Sequence, residues 1–477
     1  MTSSIQEQFA HALSDDIRTR IAQDPDRLAY HIMPPAGWLN DPNGLHEKDG
    51  VTNIYFQFAP QNAQGSGAKG WGHYSTTDFI HYKEQPVAVY PDCGLDEGGA
   101  YSGSAFVEDD GTVSFYYTGN RKLPGDYDYI YEGRQHFTCK LTSKDGNTLE
   151  NKHVLLKNSD YPENMSCHVR DPKVWKQNGS YYMVLGARTR DDKGQILVYT
   201  SKDGENWNLH GEIHGDQDYG YMWECPDLFE IGGHTLLITC LQGAKQTGFD
   251  FEYIYPAGWF EVDGNPADDK MMTAHNFHAL DHGFDYYAPQ SYIDENGRRI
   301  LIAWMGIPDV EYTNREEDAG WKHALSLPRE LRFEDGKLLQ YPIREIFGLR
   351  QMERQKTIEL GDNASHRLPG RVCEVELEPL EKEWMLTLRK DLRLEYRGGV
   401  LTLMLGESGR GREVRHASVD HIDTLSIFSD TSSVEIFVNG GEVSMTTRVY
   451  DDEKDALISA DREMRAVVYP LTSFTIE

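Results

Sequence analysis

The sequence predicts an all-β protein in which a β-propeller is followed by a smaller C-terminal β-sandwich. From about residue 30, short apolar alternations such as Asn53–Phe58 and Thr112–Tyr117 are separated by Gly, Asp and Asn, which is the pattern of strands joined by tight turns. A Ser/Thr-Ser/Thr-x-Asp turn recurs at intervals of about 60 residues and ends at Asp78, Asp145 and Asp203, a period that suits one four-stranded propeller blade. Such turns also occur in other β proteins, so the repeat alone leaves the architecture open.

The chain divides into four predicted segments. These are a helical extension at residues 1–30, the propeller at residues 31–340, a linker at residues 341–360 and the sandwich at residues 361–477. In the extension, apolar residues recur at every fourth position from Ile5 to Ile21, which predicts one amphipathic helix. Ser3 or Ser4 is suited to cap its first turn, and Asp24, which precedes a proline, is suited to end it.

The composition argues against several classes of partner. The 477 residues carry a formal net charge of −30, and so acidic a surface repels nucleic acid and anionic membranes. No run approaches the ~18 apolar residues of a membrane span, and charged residues interrupt the first 30 positions, so we expect a cytoplasmic protein. The six cysteines lack C-x-x-C spacing, so they are expected to be either free thiols or disulfides.

Three short segments each offer one carboxylate beside an aromatic, basic or amide side chain. They are Trp38–Gly44, Arg170–Pro172 and Trp223–Pro226. Two carboxylates that face each other across a sugar are the working groups of a glycosidase. Because Asp41, Asp171 and Glu224 lie far apart in the sequence, only the fold can bring them together.

The neighbours of Asp41 and Asp171 favour sugar chemistry over a structural role. The Trp38 ring can stack on a sugar and the Asn40 amide can bind its hydroxyls, whereas Asp-Pro-Asn-Gly by itself is an ordinary surface turn. Arg170 and Asp171 together can bind two adjacent hydroxyls, since one donates and the other accepts. A structural ion pair is the competing interpretation for Arg170.

Glu224 is the candidate general acid. It stands between Trp223 and Cys225, and we expect these weakly polar neighbours to desolvate its carboxyl, as suits a group that must donate a proton. A solvated surface charge is the competing interpretation.

The chain resembles glycoside hydrolase family 32, which comprises invertases, sucrose-6-phosphate hydrolases and fructanases. The three segments match the family's three signature blocks. Further matches follow in order at Phe56-Gln57, Trp71–His73, Tyr101–Ala105, Phe284–Gln290, Ala303–Gly306, Leu327–Leu331 and Ile427–Val438.

The resemblance implies a five-bladed β-propeller with an active site at its axis. Asp41 would be the nucleophile, Glu224 the acid/base, and Asp171 the group that stabilises the transition state. The implied substrate-binding residues are Asn40, Gln57, Ser102, Arg170, Trp38, Tyr101 and Trp304. No metal or cofactor is implied, and the expected partner is a small sugar, sucrose or sucrose 6-phosphate or a short fructo-oligosaccharide. A retaining mechanism would place the Asp41 and Glu224 carboxyls about 5–5.5 Å apart.

One position departs from the family pattern, and several functions stay open. Family members often carry Trp-Gly where this chain has Ser66-Gly67, so one aromatic wall of the sugar pocket is expected to be absent or supplied elsewhere. A transfructosylase or fructan hydrolase would use the same intermediate. A non-catalytic sugar-binding propeller stays open too, as does an inverting glycosidase, whose carboxyls would lie ~6.5–9.5 Å apart. The sequence leaves the oligomeric state open, although the sandwich offers a packing surface.

Overall fold

The N-terminal extension contains two short helices where the sequence predicted one. The computed structural model describes residues 4–378 and 382–477; Ser3, one of the two candidate caps, lies outside them. Helix α1 (Ile5–Ala12) begins at Ser4, whose hydroxyl accepts the Glu7 N–H while the Glu7 carboxylate accepts the Ser4 N–H. Helix α2 (Asp15–Ala22) begins after Ser14. Ser14 occupies the N-cap position without a side-chain capping bond, and Asp15 and Asp16 place negative charge in the first turn, where it stabilises a helix. The apolar stripe runs across the break unchanged.

In the described chain, the strands of the larger domain fall into five consecutive groups of four antiparallel strands, of which the third and fourth share one eight-stranded sheet through a parallel pair of their last strands. Group 1 is β1 (Gly37–Lys48), β2 (Val51–Ala59), β3 (Gly70–Thr76) and β4 (His81–Glu84); group 2 is β5 (Ala100–Val107), β6 (Val113–Lys122), β7 (Arg134–Ser143) and β8 (Glu150–Leu156); group 3 is β9 (Met165–Gln177), β10 (Ser180–Thr189), β11 (Gly194–Ser201) and β12 (Trp207–Gly215). Group 4 is β13 (Met222–Ile231), β14 (His234–Gln242), β15 (Ala257–Asp263) and β16 (Met271–Ala279). Group 5 is β17 (Tyr287–Ile293), β18 (Arg299–Met305), β21 (Arg329–Glu334) and β22 (Lys337–Pro342). Two short strands lie between β18 and β21 in the sequence: β19 (Trp321–Lys322), which pairs with β1, and β20 (Ala324–Leu325), which pairs with β18.

The first strands of the five groups form a closed ring. Strands β1, β5, β9, β13 and β17 contact one another in turn, and β17 contacts β1. The short strand β19 pairs in parallel with β1 and so joins the last group to the first. Apolar cores fill the spaces between neighbouring groups. The predicted propeller and sandwich class is confirmed.

The repeated Asp turn occupies an equivalent place in the first three groups. Asp78, Asp145 and Asp203 each lie between the third and fourth strands of their group. Each carboxylate accepts two backbone N–H groups of the turn; for Asp145 these are Asn147 and Thr148, at 2.9 and 2.7 Å. The sequence repeat therefore reports a structural repeat, and it marks the outer edge of each group.

The second domain is a sandwich of two six-stranded sheets in the described residues. Its strands are β23 (Lys356–Leu360), β24 (His366–Arg367), β25 (Cys373–Glu378), β26 (Trp384–Leu388), β27 (Leu392–Arg397), β28 (Val400–Met404), β29 (Val414–Ser418), β30 (Leu425–Ser429), β31 (Ser433–Val438), β32 (Val443–Arg448), β33 (Leu457–Ala460) and β34 (Met464–Pro470), while β35 (Thr475–Ile476) pairs with β4 of the first domain. The 3₁₀ turns of the chain are Asn158–Asp160, Phe249–Phe251, Arg315–Ala319, Arg344–Leu349, Met352–Arg354, Glu407–Gly409 and Glu453–Asp455. Two of these turns lie between β22 and β23, where the sequence predicted a linker.

The structure shows the bonding state of the cysteines and the length of the helices. All six cysteines are free thiols, so the first of the two expected states is confirmed. Within the described ranges, the structure has no helix of the length and apolar character needed to cross a membrane.

A buried ion network joins the two domains. The His31 ring lies 2.7 Å from Asp430 and 2.8 Å from Glu435, both in the sandwich. Arg329, on β21, reaches Glu435 at 2.6 Å and Asp281 at 3.2 Å. All of these side chains are fully buried, and breaking a buried ion pair is strongly destabilising because one charge stays uncompensated.

The network predicts that the protein loses stability as the pH rises above neutral. Hydrogen bonds and ion pairs with Asp430 and Glu435 outweigh burial and raise the pKa of His31 to about 9. Because this pKa is raised, the stabilisation is fully present below the unfolded value of 6.5 and is lost as the pH rises through 9. Below this range, the charged His31 contributes on the order of 3 kcal/mol to the free energy of unfolding. We therefore expect the difference in Tm between wild type and His31→Gln to shrink as the pH rises from 6.5 to 9.

Calorimetry or thermal-shift measurements at fixed ionic strength would show this. His81→Gln, at an exposed position, is the matched control and should track wild type throughout. A gap between wild type and His31→Gln that stays constant from pH 6.5 to 9.5 would contradict the assignment of a charged His31.

Candidate active site

The innermost strand of every group carries the same irregularity. In each case a three-residue step on the inner strand lies opposite a two-residue step on its partner, so the inner strand holds one extra residue. The five steps are Leu39–Pro42 in β1, Ala100–Gly103 in β5, Arg170–Lys173 in β9, Glu224–Asp227 in β13 and Tyr287–Gln290 in β17. All three predicted catalytic carboxylates lie in these steps.

Three of the steps hold their extra residue in the left-handed backbone region. Asp171, Cys225 and Ala288 have φ of 64°, 50° and 47°, and a proline follows each of them. A residue before proline is disfavoured in the right-handed helical region, and a non-glycine residue at positive φ costs of order 1–3 kcal/mol. Backbone strain is therefore concentrated around the axis where the candidate residues meet.

Asp41 is held by a closed set of hydrogen bonds. Ser102 donates to one carboxylate oxygen, and the Asn40 amide donates to the other at 3.0 Å. Gln57 donates to the Ser102 hydroxyl at 3.1 Å, and the Trp38 indole donates to the Asn40 carbonyl at 2.7 Å. The structure thus brings four of the predicted substrate-binding residues to Asp41, and it fixes the carboxylate with both oxygens occupied by donors.

The electrostatic setting of Asp41 combines opposing effects. Burial raises the pKa of its carboxyl, the hydrogen bonds from Ser102 and Asn40 lower it, and the charge of Glu224 raises it. The net result is a pKa above the ordinary value. The donors therefore help to keep an otherwise desolvated carboxylate ionised.

Asp171 lies beside Asp41 on the neighbouring wall of the axis. It accepts the Cys225 N–H at 3.0 Å, and the Cys225 thiol sits 3.8 Å from Asp41 and 3.7 Å from Asp171. Burial and the charges of Glu224 and Asp41 raise the pKa of Asp171 to about 7, although Arg170 opposes them. Residues from groups 1, 3 and 4 therefore converge on one point.

Glu224 is surrounded by polar groups. Arg170 donates to one carboxylate oxygen at 2.5 and 3.2 Å; Gln242 and the Tyr287 hydroxyl donate to the other at 2.7 and 2.5 Å. The ion pair that was the competing interpretation for Arg170 is thus formed, and with Glu224. Gln242 and Tyr287 were missed by the sequence analysis, although Tyr287 belongs to a segment that matched the family.

The expected desolvation of Glu224 by Trp223 is wrong. Trp223 is buried in a core between strands and stacks on Phe260 with ring centroids 5.2 Å apart. Successive side chains of a strand point to opposite faces, so Trp223 faces away from the axis. Only Cys225, in the extra position of the step, reaches the site.

Aromatic rings line one side of the site. Trp304, on β18, lies 5.8 Å from Trp38 and 6.1 Å from Tyr287 between ring centroids, in edge-to-face contacts. Trp304 is almost fully buried, whereas Trp38 is half-buried. Tyr101, on β5, is half-buried, and its ring centroid lies 5.9 Å from that of His136.

The loop at Ser66, which differs from the family pattern, packs against Trp38. The Asn62 side chain bonds the Ser66 carbonyl at 2.7 Å and the Ser66 N–H at 3.2 Å, which closes the loop. Gly65 has a φ of 66°, and a Cβ there would lie 2.6 Å from the Trp38 ring. The backbone of this loop therefore covers the indole face, and Lys69 lies over the same ring at 5.6 Å.

One cluster in the described residues has the ligand types of a metal site. Asp92, Cys93 and Asp96 offer ligand atoms within 4.8 Å of one another. The Lys152 ammonium already pairs with Asp92 at 2.6 Å and with Asp96 at 2.9 Å. The cluster is thus compensated by a side-chain cation and lies apart from the candidate catalytic residues.

Comparison with known proteins identifies the family. Residues 31–342 match the model of the glycosyl hydrolases family 32 N-terminal domain, and residues 405–475 match the family 32 C-terminal model. The chain belongs to glycoside hydrolase family 32. It is 37% identical over 469 residues to a sucrose-6-phosphate hydrolase from Bacillus subtilis, covering 94% of this chain and 95% of that protein.

Solved structures agree with this assignment. A sucrose-6-phosphate hydrolase from Lactobacillus gasseri superposes with a TM-score of 0.88 at 28% identity, covering 98% of this chain and 97% of that one. A family 32 β-fructofuranosidase from Bombyx mori superposes with a TM-score of 0.84 at 28% identity, covering 99% of both chains. The resemblance seen in the sequence is confirmed, and the chain is a glycoside hydrolase of the invertase type.

Gly65→Ala should damage the site through Trp38. The added methyl group would displace the indole and, through its hydrogen bond to Asn40, disturb Asp41, so we expect kcat/KM to fall about tenfold or more. Gly50→Ala is the matched control, because Gly50 has a similar φ of 72° with nothing within 4 Å of its Cβ. Equal losses of kcat/KM in the two variants would show that backbone strain, rather than the Trp38 contact, is responsible.

Proposed function

We propose that this enzyme hydrolyses sucrose 6-phosphate and releases fructose with retention of configuration. The names of the relatives from Bacillus subtilis and Lactobacillus gasseri support this substrate. The observation that carries the choice of a phosphorylated sugar is a pair of half-buried cations at the rim of the site, Lys69 and Arg134, which form no ion pair with a carboxylate within the described residues.

Arg134 is the stronger of the two candidate phosphate ligands. Its guanidinium donates to the Tyr129 carbonyl at 3.1 Å and to the Asn120 side chain at 3.3 Å, and it also pairs with the Tyr101 side chain. Among the described residues it forms no ion pair, and burial together with the charge of Arg170 lowers its pKa. A desolvated cation that lacks a counter-charge is a good receptor for a phosphate.

Lys69 faces the same region from group 1. Burial lowers its pKa, with the charge of Asp41 opposing, and its ammonium lies 5.6 Å from the Trp38 ring centroid. Arg121, another basic residue nearby, already pairs with Glu97 at 3.0 Å. Lys69 and Arg134 are therefore the two half-buried cations that could meet a phosphate beside Tyr101, while Lys122, an exposed neighbour of Arg134, lies over the Tyr129 ring at 5.0 Å.

In the proposed reaction Asp41 attacks the anomeric carbon of the fructosyl group while Glu224 protonates the departing oxygen. The resulting fructosyl-Asp41 ester is hydrolysed by a water that Glu224 deprotonates. Asp171, buried beside both groups, would bind fructose hydroxyls and stabilise positive charge on the ring. The Asp41–Glu224 carboxyl separation of about 5–5.5 Å stays a prediction of this mechanism.

The proposed roles predict opposite shifts, in two variants, of the acid limb of the pH profile of kcat/KM. Ser102→Ala removes a hydrogen bond that lowers the pKa of Asp41, and Glu224→Gln removes a charge that raises it. Because the nucleophile must be ionised, activity is lost as the pH falls through its pKa. The acid limb of kcat/KM should therefore move to higher pH in Ser102→Ala and to lower pH in Glu224→Gln.

The measurement uses an aryl β-fructofuranoside whose leaving group needs no protonation, so that Glu224→Gln retains measurable turnover. On sucrose 6-phosphate the same variant should lose on the order of 10²–10⁴ in kcat. Asp41→Asn should be inactive on both substrates, and Glu334→Gln, an exposed acid, is the control. Shifts of the acid limb in the same direction would refute Asp41 as the titrating nucleophile.

Arg134→Gln should separate the phosphorylated from the free sugar. We expect kcat/KM for sucrose 6-phosphate to fall ~10–100-fold, since a charge-assisted bond to phosphate is lost, while kcat/KM for sucrose stays within about threefold. Arg121→Gln is the matched control because Arg121 is already paired. An equal loss on both sugars would assign Arg134 to the fold and remove the support for a phosphate site.

The cytoplasm is the compartment that suits this substrate. A phosphorylated sugar is charged and crosses a lipid bilayer poorly, so an enzyme acting on it would work in the cytoplasm, where free thiols persist. All six cysteines of the chain are free.

A further inference from the structure

A second cavity lies at the other end of the five inner strands. Its volume is about 500 Å³, and its wall is formed by the parts of β1, β5, β9, β13 and β17 that follow the catalytic steps. Lys173 borders both this cavity and a void of about 10 Å³ lined by Asp171 and Cys225. The cavity is therefore on the axis of the ring, separated from the catalytic residues by a few side chains.

The inner end of the cavity has an excess of positive charge. Lys173 and Arg299 lie there with a single carboxylate, Asp227. Lys173 pairs with Asp227 at 3.5 Å, whereas Arg299 forms no ion pair among the described residues; it donates to the Ser291 hydroxyl at 2.9 Å and lies 4.0 Å from the Phe229 ring centroid. One guanidinium therefore has donors free for a ligand.

Two polar atoms of the wall have no partner in the described protein. They are Oδ1 of Asp227 and Nε2 of His46, on residues that are 1% and 4% exposed. Buried polar atoms are normally hydrogen-bonded. Unpaired acceptors beside a cavity of this size are what a ligand with hydroxyl groups would satisfy with small side-chain shifts.

The mouth has a different character. The half-buried Trp175 lines the cavity, and its ring stacks on Tyr182 with centroids 5.4 Å apart. Glu47 and Glu230 add negative charge, and Lys176 is already paired with Asp109 at 2.5 Å. A ligand with one anionic end would enter with that end inward, and a polyanion would be repelled at the mouth.

We propose that this axial cavity is a second binding site, for a small organic anion with a hydroxylated body, such as a sugar phosphate or a sugar acid. A volume of about 500 Å³ lies within the range of small-molecule sites. Arg299 and Lys173 would hold the anionic group, and the Trp175 ring would contact the body. Binding here would be independent of which sugar the catalytic site hydrolyses.

The test is ¹⁹F NMR of the full chain labelled with 5-fluorotryptophan, which gives nine reporters. Trp175→Phe assigns the resonance of the cavity, and Trp38→Phe assigns one of the catalytic site. Glucose 6-phosphate, gluconate and glucose are titrated separately to about 10 mM, enough to detect a Kd near 1 mM. We expect at least one of the two sugar anions to shift the Trp175 resonance saturably and glucose to leave it unchanged.

Arg299→Gln should weaken that response at least ~tenfold, equal to about 1.4 kcal/mol, while Arg299→Lys retains part of it and Arg332→Gln, at an exposed position, retains all of it. Fructose release should be unchanged in Arg299→Gln. Failure of both sugar anions to move the Trp175 resonance, an equal response to glucose, or an unaltered titration in Arg299→Gln would each overturn the proposal. If Arg299→Gln does not fold, the comparison of Arg299→Lys with wild type decides, since an unchanged affinity in Arg299→Lys would overturn the proposal. A ligand-induced shift of the Trp38 resonance alone would report binding at the catalytic site and would count against the second site.

Discussion

The extra residue in each inner strand is the constraint on which the site depends. In a regular strand, consecutive side chains point to opposite faces, so only one residue of a pair could reach the axis. The bulge removes this limit: Asn40 and Asp41, Arg170 and Asp171, and Glu224 and Cys225 all reach the same cluster from adjacent positions. Since the bulge recurs in all five groups, the ring can place a dense set of polar groups around one axis.

This density has an electrostatic cost that the fold must offset. Three carboxylates lie together with one guanidinium, Arg170, and burial raises the pKa of Asp41 and of Asp171. Like charges in a desolvated site destabilise the folded state, and the positive φ of Asp171 and Cys225 adds strain. Apolar cores between the groups supply the compensating stability. Such a local cost is typical of catalytic centres, and it explains why Asp41 and Glu224 are each held by several donors.

The sequence predicted which residues lie at the site better than it predicted their side-chain directions and hydrogen-bond partners. Asp41 and four residues that the family resemblance named as substrate-binding, Asn40, Gln57, Ser102 and Trp38, form one hydrogen-bonded set. The position of Trp223 was predicted wrongly, because adjacency to Glu224 in the sequence says nothing about which face of the strand a side chain occupies. Gln242 and Tyr287 come from other strands and could be linked to Glu224 only by three-dimensional pairing.

Backbone conformation limited the predictions in two other places. The apolar stripe from Ile5 to Ile21 has the period of a helix on both sides of Ser14, so the pattern could not reveal a break that a serine and two acidic residues impose. Gly65 lies in the loop that departs from the family pattern, and no role could be assigned to it from the sequence alone. Its positive φ and its contact with Trp38 show a conformation that only glycine adopts without strain, and this requirement depends on a partner that lies 27 positions away in the sequence.

Closure of the ring is linked physically to the sugar site. Successive groups are joined by the chain, but the last and first groups must be joined by non-covalent contacts. The parallel pair of β1 and β19 makes this joint through Gly37 with Trp321 and Trp38 with Lys322. Trp38 therefore serves both the closure and the wall of the site, and the Lys322 ammonium lies 5.3 Å from its ring. The buried His31 network links the residues that precede β1 both to the sandwich and to strand β21. The second domain therefore stabilises the closure of the ring, on which the position of Asp41 depends.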